Sequence, residues 1–286
     1  MGKMKNIVIP TDFSDHAWNA IFTALKLFPA SDCQFTLLNA YEPKAGGFLG
    51  EKTKKRLDVL YESMETYSIQ QLVKNVDYLK ENHSTPKHQF DYCSIRDDLT
   101  GALESLEPKM EIDLIVMGTQ GASKKRGVFM GSNTVGVIKR IRRYPLLVVP
   151  GEYHLQALKK IVFPTDLIRP YHSGELGLLL ELVQEWKAEL EVCYLTQESQ
   201  LNEIQQEVKE QLANKLVNVA HSFRQVDKSG HVADVIASYT SLEEADLIVM
   251  VHYAHTFLEN LTREPVIKKV AFHTDRPLLV LPHFPG

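Results

Sequence analysis

The chain has 286 residues, 44% hydrophobic and 24% charged, an ordinary globular composition with room for one large or two medium domains. A formal net charge of −4 gives no electrostatic case for nucleic acid as the main partner, and no apolar run approaches the ~18 residues of a membrane span. Cys33, Cys93 and Cys193 are scattered without a C-x-x-C pair, and MGKMKNIVIPTD passes straight into a strand, so the expectation is a cytoplasmic protein with buried, unbridged thiols and no signal peptide.

The first predicted strand is 5–10 (KNIVIP), apolar at Ile7, Val8 and Ile9, with Thr11-Asp12 at its C-terminal end. Ala17, Ala20, Ile21, Ala24, Leu25 and Phe28 recur at three- and four-residue steps and predict a helix over 14–28. A second strand covers 34–40 (QFTLLNA), and 42–50 form a Pro/Gly loop. A long helix follows over 54–82, with Leu57, Leu60, Met64, Tyr67, Leu72, Val76 and Leu79 as its apolar stripe. Residues 88–93 read as a third strand and 97–106 as a short helix. The apolar run 114–117 reads as a buried strand, 146–149 as another, and between them lies an amphipathic helix with Val135, Ile138 and Ile141 on one face. Strict alternation of strands and helices implies a parallel sheet with right-handed crossovers and helices on both faces. Ligands bind such sheets at the C-terminal ends of central strands, where Asp12 and the loop after residue 117 would meet.

The chemistry of 113–150 is anion binding. Gly118 ends the fourth strand, where a missing Cβ lets a ligand approach the main chain and lets the turn take positive φ. Gly121 follows, then nine residues, then Gly131-Ser132-Asn133-Thr134 at the start of a helix. Backbone N–H groups there lack intrahelical partners and the helix dipole is positive, so a phosphate fits. Ser132 and Thr134 add hydroxyls, and Asn133 adds an amide. Taken singly, each of these residues also reads as an ordinary cap or turn. The ordered set strand, Gly-x2-Gly, x9, Gly-Ser, helix, strand carries the phosphate reading. It is neither a P-loop, which needs Gly-Lys-Ser/Thr, nor a G-x-G-x-x-G dinucleotide fingerprint.

The chain then repeats itself. KNIVIPTDFS is echoed by KKIVFPTDLI, DLIVMGTQG by DLIVMVHYA, and PLLVVP by PLLVLP. Leu201, Ile204, Val208, Leu212, Leu216 and Val219 predict the long helix of the second half. The expected domains are 1–151, with the glycine motif, and 152–286, without it. In the second half Val251 replaces Gly118 and Ala254 replaces Gly121, and no Gly-Ser precedes the last helix. The scaffold is kept and the cradle is expected to be closed.

On Pro10-Thr11-Asp12, Leu38-Asn39-Ala40 and Gly118-x2-Gly121-x9-Gly131-Ser132, the chain resembles a tandem universal stress protein over essentially its whole length. The resemblance implies two tandem open five-stranded parallel sheets, Rossmann-like and similar to the adenine nucleotide alpha hydrolases. They would pack as an intrachain pseudo-dimer through the last strand of each, with a homodimer of chains left open. It implies one ATP per chain in the N-terminal domain, with Mg2+ left open and no catalytic or metal-ligating residue. Asp12 and Ala40 would contact the adenosine. Gly118, Gly121, Gly131 and Ser132 would hold ribose and phosphates, and Pro10, Thr11, Met117, Asn133 and Thr134 complete the expected site. The junction Ser94-Ile95-Arg96-Asp97 departs from the family's usual Gly and Pro, which puts the outer rim of the pocket in question.

Asp12 also reads as a helix cap, because Thr165-Asp166 survives in the half that lost its glycines. Lys124-Lys125-Arg126 reads either as a clasp on a γ-phosphate or as a solvated charge run. His252 and His255, with His273 and His283 nearby in sequence, lack a glutamate partner or thiolate at metal-site spacing, so surface or interface histidines are expected. No G-x-S-x-G elbow is present. The leading expectation is a stress-response regulatory module that binds an adenine nucleotide and unknown protein partners, with at most weak ATP hydrolysis. A slow ATPase or self-phosphorylating protein stays open, as does a ligand-free interaction scaffold, against which the intact glycines speak.

Overall fold

The computed structural model describes residues 3–42, 51–119, 131–196, 198, 200–228, 230–252, 266–273 and 275–284, with backbone alone at 51–57, 272 and 273. The first half runs β1 (Lys5–Pro10), α1 (Asp15–Leu27), β2 (Cys33–Ala40), α2 (Glu51–Asn82), β3 (His88–Ile95), α3 (Leu99–Leu106), β4 (Leu114–Gly118), α4 (Ser132–Arg140) and β5 (Leu146–Val149). The second runs β6 (Lys160–Thr165), α5 (Ser173–Trp186), β7 (Glu189–Thr196), α6 (Glu203–Lys215), β8 (His221–Asp227), α7 (Val232–Leu242), β9 (Leu247–His252), α8 (Val266–His273) and β10 (Leu278–Pro282).

The strands form one continuous ten-stranded sheet in the order β3-β2-β1-β4-β5-β10-β9-β6-β7-β8. Each half is parallel, and the halves join antiparallel where Leu147 of β5 pairs with Leu279 of β10. β1 lies at the middle of its half, between β2 and β4. Side chains alternate between faces with the strand period of two. Ile7, Ile9, Leu114, Val116 and Leu147 face a core under α1, α2, α5 and α6. Val8, Ile115, Met117, Leu146 and Val148 face the other, under α3, α4, α7 and α8. Both cores run across the seam, so the two halves share their apolar interior.

Polar contacts reinforce the seam. Lys5 pairs with Glu181 at 2.7 Å, and the Trp186 indole N–H donates to the Leu27 carbonyl at 3.0 Å. Segment 151–158 is short for a linker and is pinned in place. Leu155 and Leu158 are buried, and Asn19 of α1 donates to the carbonyls of Pro150 (3.0 Å) and Tyr153 (2.7 Å). Gly151 crosses α1 so closely that a Cβ there would run into the His16 ring.

Two predicted apolar stripes are only partly buried. Helix α2 spans about 48 Å at 1.5 Å per residue, whereas an eight-residue strand spans about 26 Å. Leu72, Val76 and Leu79 cover the sheet, but Leu60, on the N-terminal overhang, is 44% exposed, and Tyr67, at the sheet's end beside the Phe13 ring, is 57% exposed. In α6, Val208 and Leu212 are buried while Ile204 is 62% exposed. The α4 stripe is turned slightly from the predicted one: Thr134, Val137 and Ile138 are its buried residues, and Val135 packs only at the margin.

Candidate functional site

The turn between β1 and α1 forms one wall of a crevice at the C-terminal ends of the central strands. Phe13 adopts φ 65°, a left-handed conformation that costs a non-glycine residue about 1–2 kcal/mol. Local hydrogen bonds hold it there. The Phe13 N–H donates to Thr11 Oγ1 at 3.0 Å, and the Ser14 N–H and hydroxyl donate to Asp12 Oδ1 at 3.2 and 2.6 Å. Ser14 then caps α1 by accepting from the Ala17 N–H at 3.3 Å. Asn39 of β2 donates to the Thr11 carbonyl at 2.7 Å and ties the turn to the next strand. Asp12 is therefore an Asx-turn acceptor in its own right, with its carboxylate exposed at the crevice.

The opposite wall is built by β4 and α4. The Gly131 N–H donates to the Thr119 carbonyl at 2.7 Å. The Thr134 hydroxyl, on a residue 2% exposed, donates to the Gly118 carbonyl at 3.0 Å. These bonds dock the start of α4 onto the end of β4. They also correct two expectations. The Thr134 hydroxyl is committed to the main chain and positions the helix, and Gly118 does not use positive φ. Among the described residues Gly230 is the glycine that does, so what Gly118 brings is a missing side chain. The N-cap of α4 is Gly131, at φ −72° and ψ 155°, and no side chain caps the helix. By contrast, Ser14, Asp98 and Asn202 accept from the first turns of α1, α3 and α6.

Between these walls lies a crevice of about 290 Å³. It brings together ten of the eleven predicted site residues. Pro10, Thr11 and Asp12 come from the β1 end, Ala40 from β2, Met117 and Gly118 from β4, and Gly131 to Thr134 from the start of α4. Gly121 lies outside the described residues, as do Lys124-Lys125-Arg126, Ala254 and His255. Ala17, Leu38, Asn39 and Leu99 also line it and were not foreseen as site residues. Asn39 had a sequence signal, a polar residue in an otherwise apolar strand; Leu99 had none, because only the β3–α3 crossover brings it there. At the questioned junction β3 runs on to Ile95, Ser94 shares a 2.7 Å hydroxyl contact with Ser68, and the Arg96 guanidinium stacks on Tyr61. Glu42, Asp97 and Asp98 form an exposed acidic cluster beside Ala40 and Leu99, with Asp98 engaged as the α3 cap.

The universal stress protein family model matches residues 3–150 and again 158–282. The chain belongs to the universal stress protein family. It is similar to a universal stress protein from Archaeoglobus fulgidus, at 14% identity over 97% of this chain and 98% of that one, with TM-score 0.70. It is also similar to a putative universal stress protein from Pseudomonas aeruginosa, at 13% identity over 97% and 93%, with TM-score 0.62. The cytoplasmic domain of a prokaryotic cation chloride cotransporter shares the fold, at 13% identity over 98% and 96%, with TM-score 0.55. No curated protein matches the sequence. No helix among the described residues of this universal stress protein is long and apolar enough to cross a membrane.

The second half repeats the turn. Leu167 takes φ 55°, its N–H donates to Thr165 Oγ1 at 2.9 Å, and the Ile168 N–H donates to Asp166 Oδ1 at 3.1 Å. Gln205 of α6 reaches over to donate to the Asp166 carbonyl at 3.0 Å. Burial pushes the Asp166 carboxyl above its usual range. Val251 is buried where Gly118 stands in the first half. His252 replaces Thr119; burial, then the nearby Arg142, hold its imidazole below the ordinary value. His283 pairs with Glu175 of α5 at 2.6 Å. Burial also pushes the thiols up, Cys33 to about 12, which leaves them poor nucleophiles.

Proposed function

We propose that the crevice of the N-terminal half binds one ATP per chain, and that the protein is a nucleotide-dependent regulator of the stress response whose C-terminal half acts as its built-in partner. One observation carries the reading. The first turn of α4 opens into the crevice with a glycine N-cap and no capping side chain. The N–H groups of Ser132, Asn133 and Thr134 have no intrahelical acceptor at a helix start, and the dipole there favours an anion. Docking of Gly131 and Thr134 onto β4 means that those donors are aimed before a ligand arrives. At the other end, Asp12 and the main chain near Ala40 offer acceptors to hydroxyls and amines of a nucleoside.

The same residues do not favour ATPase chemistry. Among the described crevice residues Asp12 is the sole carboxylate, and it accepts two hydrogen bonds from Ser14 across from α4. A regulator needs occupancy, not turnover, and occupancy is what this wall of N–H groups supplies.

The test is to purify the intact chain, denature it and identify released small molecules by mass spectrometry, then titrate the emptied protein with ATP and magnesium by calorimetry. One adenine nucleotide per chain is expected. The Gly131→Asp variant supplies a capping carboxylate where the phosphate would lie, on a backbone conformation open to any residue. It is expected to bind ATP about 100-fold more weakly with stability changed by less than about 1 kcal/mol. Absence of nucleotide on release and on titration would sink the proposal.

A further inference from the structure

A second concavity lies away from the crevice, on the outer side of α1. It measures about 380 Å³ and is bounded by α1, the C-terminal end of α2 at His83, and segment 154–155. Its floor is aromatic. Trp18 and Phe22 stack with ring centroids 5.5 Å apart and planes at 27°, and Phe22 meets the His83 ring at 5.2 Å. Both aromatic residues are only partly buried, so ring surface remains open to the groove.

The groove is polarised along the helix. Asp15 stands at one end and Lys26 at the other, eleven residues and about 16 Å along the axis. His83, which meets the Phe22 ring, and His154 line the groove together with Lys26. Lys26 donates one hydrogen bond, to the Leu155 carbonyl at 3.1 Å, out of the three donors of an ammonium. The walls are held open by other bonds. Asn19 and Lys26 strap segment 150–155 along one side of the helix, and Tyr78 braces both Trp18 and His83 on the other. A concave, mostly apolar site with a few convergent polar groups is the usual form of a small-molecule pocket.

We propose that this groove binds a small amphipathic anion, with a planar aromatic body on Trp18 and Phe22 and a carboxylate or sulfonate on Lys26, alongside the two imidazoles. The aromatic floor selects for a flat apolar body. Lys26 selects for the acid, and Asp15 excludes an acid at the other end, so the ligand enters in one orientation. The site is independent of the nucleotide crevice: Trp18 and Lys26 point into the groove, and neither lines the crevice.

The probe is 8-anilinonaphthalene-1-sulfonate, with neutral N-phenyl-1-naphthylamine as the same body without the acid, titrated by fluorescence into the intact chain. One sulfonate dye per chain is expected, undisplaced by excess ATP. Lys26→Met is expected to weaken the sulfonate about tenfold and to leave the neutral dye within about twofold, since the charge-assisted contact is lost while Asn19 still holds the wall through Pro150 and Tyr153. His154→Gln, on an exposed residue, is expected to act in the same direction without touching the fold. Trp18→Ala is expected to weaken both dyes, with circular dichroism confirming that it folds. Absence of saturable binding, an unchanged sulfonate affinity in Lys26→Met, or displacement by ATP would each overturn the assignment.

Discussion

The turns at Thr11-Asp12-Phe13 and Thr165-Asp166-Leu167 are the same object built twice. Each places a non-glycine residue at positive φ and holds it with a threonine hydroxyl and an aspartate carboxylate. Yet one lines a crevice and the other lies beneath Gln205. The difference lies in what stands across from the turn. In the first half that is Gly118 and the uncapped start of α4; in the second it is Val251 and His252. A Thr-Asp signature therefore reports the scaffold, and what stands across from it differs between the halves.

The largest effect is expected from forcing the second half to resemble the first. Val251→Gly removes a buried strand side chain and adds backbone entropy to the unfolded state, costing about 3 kcal/mol in urea denaturation. Nucleotide stoichiometry should stay at one per chain, because Gln205 still covers the turn and no Gly-Ser precedes α8 in the sequence. A second bound nucleotide would show that a single Cβ closes the site.

A smaller and opposite pair of effects should separate the two aspartates. Asparagine keeps the Asx-turn oxygen, so Asp12→Asn should leave stability within about 0.5 kcal/mol while lowering ATP affinity about tenfold. Asp166 is the reverse case. Burial raises its folded-state pKa, so its contribution is complete below the unfolded value and is lost as pH rises through the folded one. Asp166→Asn should therefore gain stability at pH 7, by less than about 1 kcal/mol, and the gain should vanish near pH 4. Equal behaviour of the two variants would mean that the turns differ less than their surroundings imply.

The smallest expected effect concerns His252 and its counterpart Thr119. The folded-state pKa of His252 is depressed from 6.5. Its stabilising contribution is present above that value and is lost as pH falls through the folded one. His252→Gln should flatten the decline in stability below about pH 6.5, and Thr119→Val should leave it unchanged. A decline of equal steepness in His252→Gln would place the acid-sensitive group elsewhere.

Much of this was legible from local pattern. Runs such as KNIVIP and LLVV are apolar on both faces, so they had to become central strands, and the helices predicted from 14 and 97 begin at Asp15 and Leu99. The stripes of α2 and α6 misled beyond the sheet, because periodicity records which residues share a face and not whether anything lies under it. The role of Thr134 was equally hidden. A hydroxyl at a helix start can meet a ligand or its own protein's carbonyl, and only the 3.0 Å approach to Gly118 distinguishes them.

The sequence by itself determined the two repeats, the alternating elements, the strand that would be central and the loss of glycine at Val251. Each of these follows from side-chain type and spacing over a few residues, where sterics and burial act locally. The resemblance already implied that the halves join through the last strand of each; tertiary structure alone decided the register that sets Leu147 against Leu279, that Gln205 covers the second turn, and that Trp18, His83 and His154 share one groove. Those contacts join residues far apart in the chain, and their free energy exists only when distant surfaces are brought together and water is excluded between them.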